Sequence, residues 1–168
     1  MDIEIEKIKD NELEEFLSFA SDIWQEYFTF LLSNEQIDYM VDMFFAPEHI
    51  KHQVQNENYE YYFCKIRGEK IGFIGLQIQQ DSIFLSKLYL KKSSRGKGFA
   101  SEMMQFVFDR AKSTGKQRLW LTCNKHNEHS LDVYKAKGWK IIDEQVADIG
   151  RGYVMDDYIL EYKIVPKN

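Results

Sequence analysis

Six consecutive residues, Arg95-Gly96-Lys97-Gly98-Phe99-Ala100, have the types and spacing to hold a phosphate. They follow an apolar run, Ile83 to Leu90, that reads as a strand, and they open a pattern that reads as a helix. Glycine lets a backbone approach a bulky anion closely. A helix N-terminus adds unpaired N–H groups and a partial positive charge. The junction lacks the Gly-Lys-Ser/Thr ending of a P-loop, and no GxGxxG precedes it, so by itself the loop does not say whose phosphate it holds.

A second group lies beyond the next predicted strand: Asn127-Glu128-His129-Ser130-Leu131-Asp132-Val133-Tyr134, with Gly138 and Trp139 after it. Asn127, Ser130 or Leu131, and Tyr134 repeat at helical spacing and share a face. Asn127 and Tyr134 lie roughly 10 Å apart along such a helix, which suits two contacts on one extended ligand. A phenol with pKa near ~10 stays protonated at neutral pH and can act as an acid. Asn127 reads equally well as an N-cap, and Tyr134 as a core aromatic, when each is taken alone.

Taken together, the two motifs resemble those of the GCN5-related N-acetyltransferases, the GNAT superfamily. The loop signature Arg/Gln-x-x-Gly-x-Gly/Ala is matched by Arg95, Gly98 and Ala100. The second signature, Asn-x-x-Ala/Ser-x-x-x-Tyr-x-x-x-Gly-Phe, is matched by Asn127, Ser130, Tyr134 and Gly138, with Trp139 in place of Phe. The resemblance implies acetyl-CoA as donor and no metal. It places the pyrophosphate on the backbone of Arg95, Gly96, Lys97, Gly98, Phe99 and Ala100, and the pantetheine arm along Leu88, Tyr89 and Leu90. It adds contacts from Asn127, Ser130 and Tyr134, and makes Tyr134 the acid that protonates the departing thiolate. The implied fold is α/β: a mixed, mostly antiparallel sheet of about seven strands flanked by helices, with a splayed parallel pair in the middle.

One position departs from the pattern. Many family members carry a glutamate on the strand before the loop, where this chain has Ser86. That glutamate often serves as the base. Neutralising an amine of pKa about 10.4 at pH 7 costs about 4–5 kcal/mol, which a base, desolvation or a water chain must supply. Glu26, Asp148, Asp156 and Asp157 are carboxylates available for it, and the sequence selects none of them.

The elements that must position these groups are legible from periodicity. Asp2 to Ile8 alternates as a first strand, and Leu13 to Phe28 follows helical spacing. Ser33 to Gln36 fits a capping box opening a second helix; Pro47 can start a third. Tyr59 to Ile66 and Ile71 to Gln79 form a hairpin about an Arg67-Gly68-Glu69-Lys70 turn. A helix over Gly98 to Ser113 leads to a strand over Gln117 to Cys123, making a right-handed parallel crossover with the strand ending near Leu90. A helix over Asn127 to Lys137 and strands over Trp139 to Ala147 and Tyr153 to Ile164 complete the chain. One domain, residues 1–168, is expected.

The acceptor is expected at the first helices and the C-terminal hairpin. Trp24, Tyr27 and Phe28 offer an aromatic wall; Asp148, Asp156 and Asp157 offer negative charge. Between Ile141 and Lys163 six acidic residues face two basic ones, whereas Lys87 to Lys97 holds five basic residues and no acidic one. This acidic pole, with a loose similarity to bacterial spermidine/spermine N-acetyltransferases, favours a polyamine acceptor such as spermidine or spermine. A protein or peptide amine is the runner-up, and a non-catalytic acyl-CoA-binding module the reading from another class. With 168 residues, 44% of them apolar, and a net charge of −5, general nucleic-acid binding is disfavoured. No apolar stretch reaches membrane-spanning length. Cys64 and Cys123 show no metal spacing. A cytoplasmic enzyme acting on a small amine is expected, with a second copy of the chain as the one protein partner to consider.

Overall fold

The computed structural model describes residues 2–164. In chain order its elements are β1 (Glu4–Lys7), a 3-10 turn (Asp10–Glu12), α1 (Leu13–Phe28), α2 (Asn34–Phe44), α3 (Pro47–Asn56), β2 (Tyr59–Ile66), β3 (Glu69–Ile78), β4 (Ser82–Leu90), a second 3-10 turn (Lys92–Ser94), α4 (Phe99–Ser113), β5 (Arg118–Asn124), α5 (Glu128–Ala136), β6 (Lys140–Gly150) and β7 (Tyr153–Lys163). The seven strands form one sheet in the order β1-β2-β3-β4-β5-β7-β6. Every pairing is antiparallel except β4 with β5. This is the mixed α/β sheet with a central parallel pair expected from the sequence. Among the described residues no helix is long and apolar enough to cross a membrane.

Side-chain alternation along the strands divides the apolar residues into two cores. Ile83, Leu85, Leu119, Leu121 and Leu160 pack with Met103, Met104 and Val107 of α4 and Leu131 of α5. Phe16, Trp24, Met40 and Ile50 of α1 to α3 pack with Tyr61, Phe63 and Phe73 on the opposite face.

Three local expectations change. The β2–β3 connection is tighter than a four-residue turn: Arg67 and Gly68 both have positive φ (51° and 79°). Two left-handed residues make the two-residue turn whose twist matches the flanking strands, so β3 already begins at Glu69. The first strand spans only Glu4–Lys7. The cap of α2 is half a box: Ser33 accepts from the Gln36 N–H at 3.1 Å, but the Gln36 side chain donates to the Val154 carbonyl at 3.1 Å. That bond ties α2 to the C-terminal hairpin.

Candidate functional site

The parallel ladder is short. Ser82, Ile83 and Phe84 of β4 pair with Arg118, Leu119 and Trp120 of β5, and there the pairing stops. Beyond it β4 runs on to Leu90 and β5 to Asn124, so the strands diverge and the facing edge of β4 has no strand partner. A bulge accompanies the opening. Leu85 lies opposite Leu76 and Lys87 opposite Gly75, which leaves Ser86 as the extra residue. Bulges re-aim side chains beside sites. A cleft of about 710 Å³ fills the splay, lined by Ser86 to Leu90, Leu121 to Asn124 and residues of α1, α2, α3 and α5.

At one end stands the loop. Gly96 and Gly98 have φ of 75° and 86°, and a Cβ on either would meet nothing within 4 Å. Their requirement is backbone conformation, with open space in front. Gly98 is the N-cap of α4, so the free N–H groups of that helix point past the glycines. The loop is braced from behind: Arg95 Nε donates to the Leu90 carbonyl at 3.1 Å, and its guanidinium lies over the Tyr27 ring at 5.1 Å. Glu26 Oε1 accepts from the Lys92 N–H at 2.8 Å and from Arg95 Nη2 at 3.4 Å.

Across the cleft, α5 presents its motif face. Asn127 is buried and is both cap and partner: its Oδ1 accepts from the Ser130 N–H at 3.4 Å, and its Nδ2 donates to Tyr27 Oη at 2.7 Å. Tyr27 Oη also bonds Ser130 Oγ at 2.9 Å. The Tyr134 ring packs edge-on against Trp139, centroids 5.6 Å apart. Among the described residues no side-chain hydrogen bond occupies its hydroxyl. Burial, with Cys123 and Tyr27 nearby, pushes that phenol well above its ordinary pKa, so it is protonated at any working pH.

The inner end holds two ionisable side chains for which the described residues supply no ion-pair partner. Asp157 is 3% exposed and lines the cleft. Its carboxyl is pushed up to about 6, chiefly by burial and further by Asp156, against an opposing pull from Lys125. Lys125 itself pairs with Asp156 at 2.8 Å. Lys87 is 7% exposed, and its ammonium is held down to about 8 by desolvation. Asp157 and Met155 share the sheet face toward α1–α3, as do Lys87 and Tyr89. Burial and Asp157 push the Cys123 thiol up to about 12, so this cleft-lining cysteine is not a nucleophile at neutral pH.

Of the predicted residues, the cleft gathers Trp24, Tyr27, Phe28, Leu88, Tyr89, Leu90, Arg95, Gly96, Gly98, Ala100, Asn127, Ser130, Tyr134 and Asp157. Lys97 and Phe99 lie in the loop with side chains outside the lining. Two of the three carboxylates expected at the acceptor do not reach it. Asp156 is tied to Lys125, and Asp148 accepts from the Gly150 N–H at 2.8 Å, closing the hairpin turn. The period-2 alternation of β7 already separates Asp156 from Asp157, which carries the signal that sequence reading left unused. Lys87 and His49 were missed: Lys87 is one of five basic residues between positions 87 and 97, and nothing in that run singles it out. Among the described residues no group of three metal-ligating side chains comes together.

The model of the acetyltransferase (GNAT) family matches residues 17–139. An uncharacterized N-acetyltransferase from Lactobacillus delbrueckii subsp. lactis is 20% identical over 171 residues, covering 97% of this chain and 98% of that one. The PaiA N-acetyltransferase from Thermoplasma acidophilum, solved in complex with coenzyme A, superposes with a TM-score of 0.81 at 23% identity over 98% of this chain and all of that one. A GCN5-related N-acetyltransferase from Rhodopseudomonas palustris gives 0.80 at 9% identity, over 98% and 97% of the two chains.

Proposed function

Because the chain belongs to the acetyltransferase (GNAT) family, we propose that it moves the acetyl group of acetyl-CoA to a primary amine by direct attack within one ternary complex. The observation that carries this reading is the short β4–β5 ladder. It leaves an unpaired strand edge with an anion-accepting loop at one end and an acid and a base at the other.

The pyrophosphate sits on the N–H groups of residues 95 to 100, where Gly96 and Gly98 leave open space. The pantetheine amides pair with the free edge of Leu88 to Leu90, satisfying backbone groups that otherwise need water. Asn127 and Ser130 flank the arm, and Tyr134 lies at the thioester. The amine nitrogen forms the new C–N bond to the acetyl carbon. As the C–S bond breaks, Tyr134 gives its proton to the CoA sulfur. The amine proton goes to Asp157, among the described residues the one cleft carboxylate that is buried and free of an ion pair. Asp157 thus takes the role that Ser86 cannot.

A polyamine acceptor is the second reading. What favours it is a pair of cleft carboxylates, Asp157 inside and Glu57 at the rim. Against it, Asp148 and Asp156 are already engaged.

The test is amine-dependent release of the CoA thiol, with the acetylated product identified by mass spectrometry. The panel holds monoamines, amino acids, spermidine and a peptide amine. Thiol release that requires one of these amines is the expected result. Tight CoA binding with no release on any of them would leave a binding module and overturn the proposal.

A further inference from the structure

The acceptor end of the cleft carries a cation that nothing in the acetyl-transfer chemistry uses. Lys87 is almost fully enclosed, yet lines the cleft. Its one hydrogen bond is to Ser86 Oγ at 3.1 Å, and among the described residues no carboxylate lies within ion-pair distance of its Nζ. Its path is built. Gly75 sits between Tyr61 and Lys87 in the sheet, and a Cβ there would come within 2.7 Å of the Tyr61 ring and 3.4 Å of the Lys87 Cβ. The missing side chain lets the Tyr61 ring lie against the sheet beside the Lys87 stem, and Lys87 extends toward Tyr61 and Phe45. Its Nζ stands 5.5 Å from the Phe45 ring centre and 5.7 Å from that of Tyr61.

The surroundings supply no neutralising charge. His49 of α3 has its imidazole pKa lowered by burial and by Lys87, so it is neutral there. Glu57, at the C-terminal end of α3, is exposed and faces His52 at 3.6 Å. Tyr59 and Tyr61 of β2 are un-ionised, their phenols raised by burial. An enclosed cation without a counter-ion is costly to hold. In an open-mouthed cleft it has the chemistry of an anion receptor.

We infer that Lys87 is the anion subsite of the acceptor, so that the substrate is a primary amine carrying a carboxylate or similar anionic group at a distance from the amine. This rests on the acetyltransferase reading and names its substrate class. The distance follows from the sheet. Asp157 pairs with Asn124 of β5, and β4 lies on the other side of β5. Lys87 and Asp157 therefore start two strand spacings apart, roughly 10 Å, with the splay adding to it. Lys87 then leans away toward β2. An amine at Asp157 and an anion at Lys87 are joined by a chain of several bonds. The aromatic wall of Trp24, Phe28 and Phe44 lines the cleft with them.

The test compares three series at saturating acetyl-CoA, each over rising chain length: aliphatic monoamines, ω-amino acids and terminal diamines. The ω-amino acid of best length is expected to exceed the monoamine of equal length in kcat/KM by about ten- to a hundredfold, the range of a hydrogen bond to a charged group. The diamine should fall below both. Lys87→Met should bring the ratio of amino acid to monoamine to about one, and Lys87→Arg should keep most of it. Pentanoate binding to the CoA complex, followed by calorimetry, gives a readout without turnover, and Lys87→Met should weaken it at least tenfold. Equal turnover of the three series, or a ratio unmoved in Lys87→Met, would overturn the subsite and leave the acetyltransferase reading standing. Lys87-dependent pentanoate binding with no amine acetylated would do the reverse.

Discussion

The two ends of the cleft treat charge in opposite ways. At the loop, Arg95 is held by the Leu90 carbonyl, the Tyr27 ring and Glu26, all in partly exposed surroundings. At the inner end, Asp157 and Lys87 are buried and lack ion-pair partners among the described residues. A paired, solvated charge shapes a loop at little cost. A buried, unpaired charge lowers stability and persists where a ligand or a proton completes it. On the proposed reading Arg95 is scaffolding for backbone donors, whereas the inner charges are the reactive and selective part.

Asp157→Asn breaks this comparison most directly. Removing a positioned base costs typically 10²–10⁴-fold, and kcat/KM is expected to fall within that range with acetyl-CoA affinity retained. The pH profile of the unmodified protein carries the same signature. With its carboxyl at about 6, the base is lost as pH falls through that value, and kcat/KM should fall with it. Burial sets this value first; Asp156 raises it further and Lys125 pulls it down. The stability effect has the opposite sense. A carboxyl raised from 3.8 to about 6 by folding stabilises the protein only in its protonated form. That contribution is lost as pH rises through about 6. At pH 7.5 the ionised group costs up to about 3 kcal/mol, so Asp157→Asn should melt higher while turning over slower. A variant that is both active and no more stable would remove Asp157 from the chemistry.

Tyr134→Phe is the next largest expected effect. It deletes an unengaged hydroxyl and leaves the ring packed on Trp139. Loss of the acid should lower kcat by about 10²-fold or more, with little change in melting temperature. The loss should shrink for acyl donors whose thiol leaves more readily than that of CoA. An unchanged kcat would make Tyr134 a packing residue.

Gly98→Ala probes the loop through its backbone. A Cβ at Gly98 finds no clash, but φ of 86° is strained for alanine, by roughly 1–2 kcal/mol. If the donors that matter are backbone N–H groups, acetyl-CoA should bind about tenfold more weakly, with kcat for bound donor nearly intact.

The two ends also differ in how far the sequence disclosed them. The loop and the α5 face were readable because spacing carries them: glycines at fixed offsets, and Asn127, Ser130 and Tyr134 on one helical face. The parallel crossover followed from the strand-helix-strand alternation, whereas the strand order, with β7 between β5 and β6, shows only in the fold. The inner charges were not readable in that way. Asp148, Asp156 and Asp157 look alike in a string. Only the fold shows Asp148 closing a turn, Asp156 paired across to Lys125, and Asp157 turned inward. Lys87 belonged to a basic run in which nothing singled it out. It is buried because the Ser86 bulge changes which face the rest of β4 presents, and a bulge leaves no trace in composition.

Glu26→Gln is the smallest effect and the sharpest check on the loop as scaffold. Its carboxylate accepts one good bond from the Lys92 N–H at 2.8 Å and a long one from Arg95 at 3.4 Å. The side chain is 45% exposed, where an ion pair contributes about 0–1 kcal/mol. Glutamine keeps an oxygen for the Lys92 N–H and gives up only the pairing with Arg95. Two consequences oppose each other: Arg95 is held less firmly, and one negative charge near the loop disappears, which favours an incoming pyrophosphate. Both are solvent-screened, so the KM for acetyl-CoA should move by less than about threefold in either direction. The residual shift should vanish in high salt. A tenfold change persisting in salt would mean that the Arg95 charge itself binds the donor, and the division between a scaffolding end and a reactive end would fail at the loop.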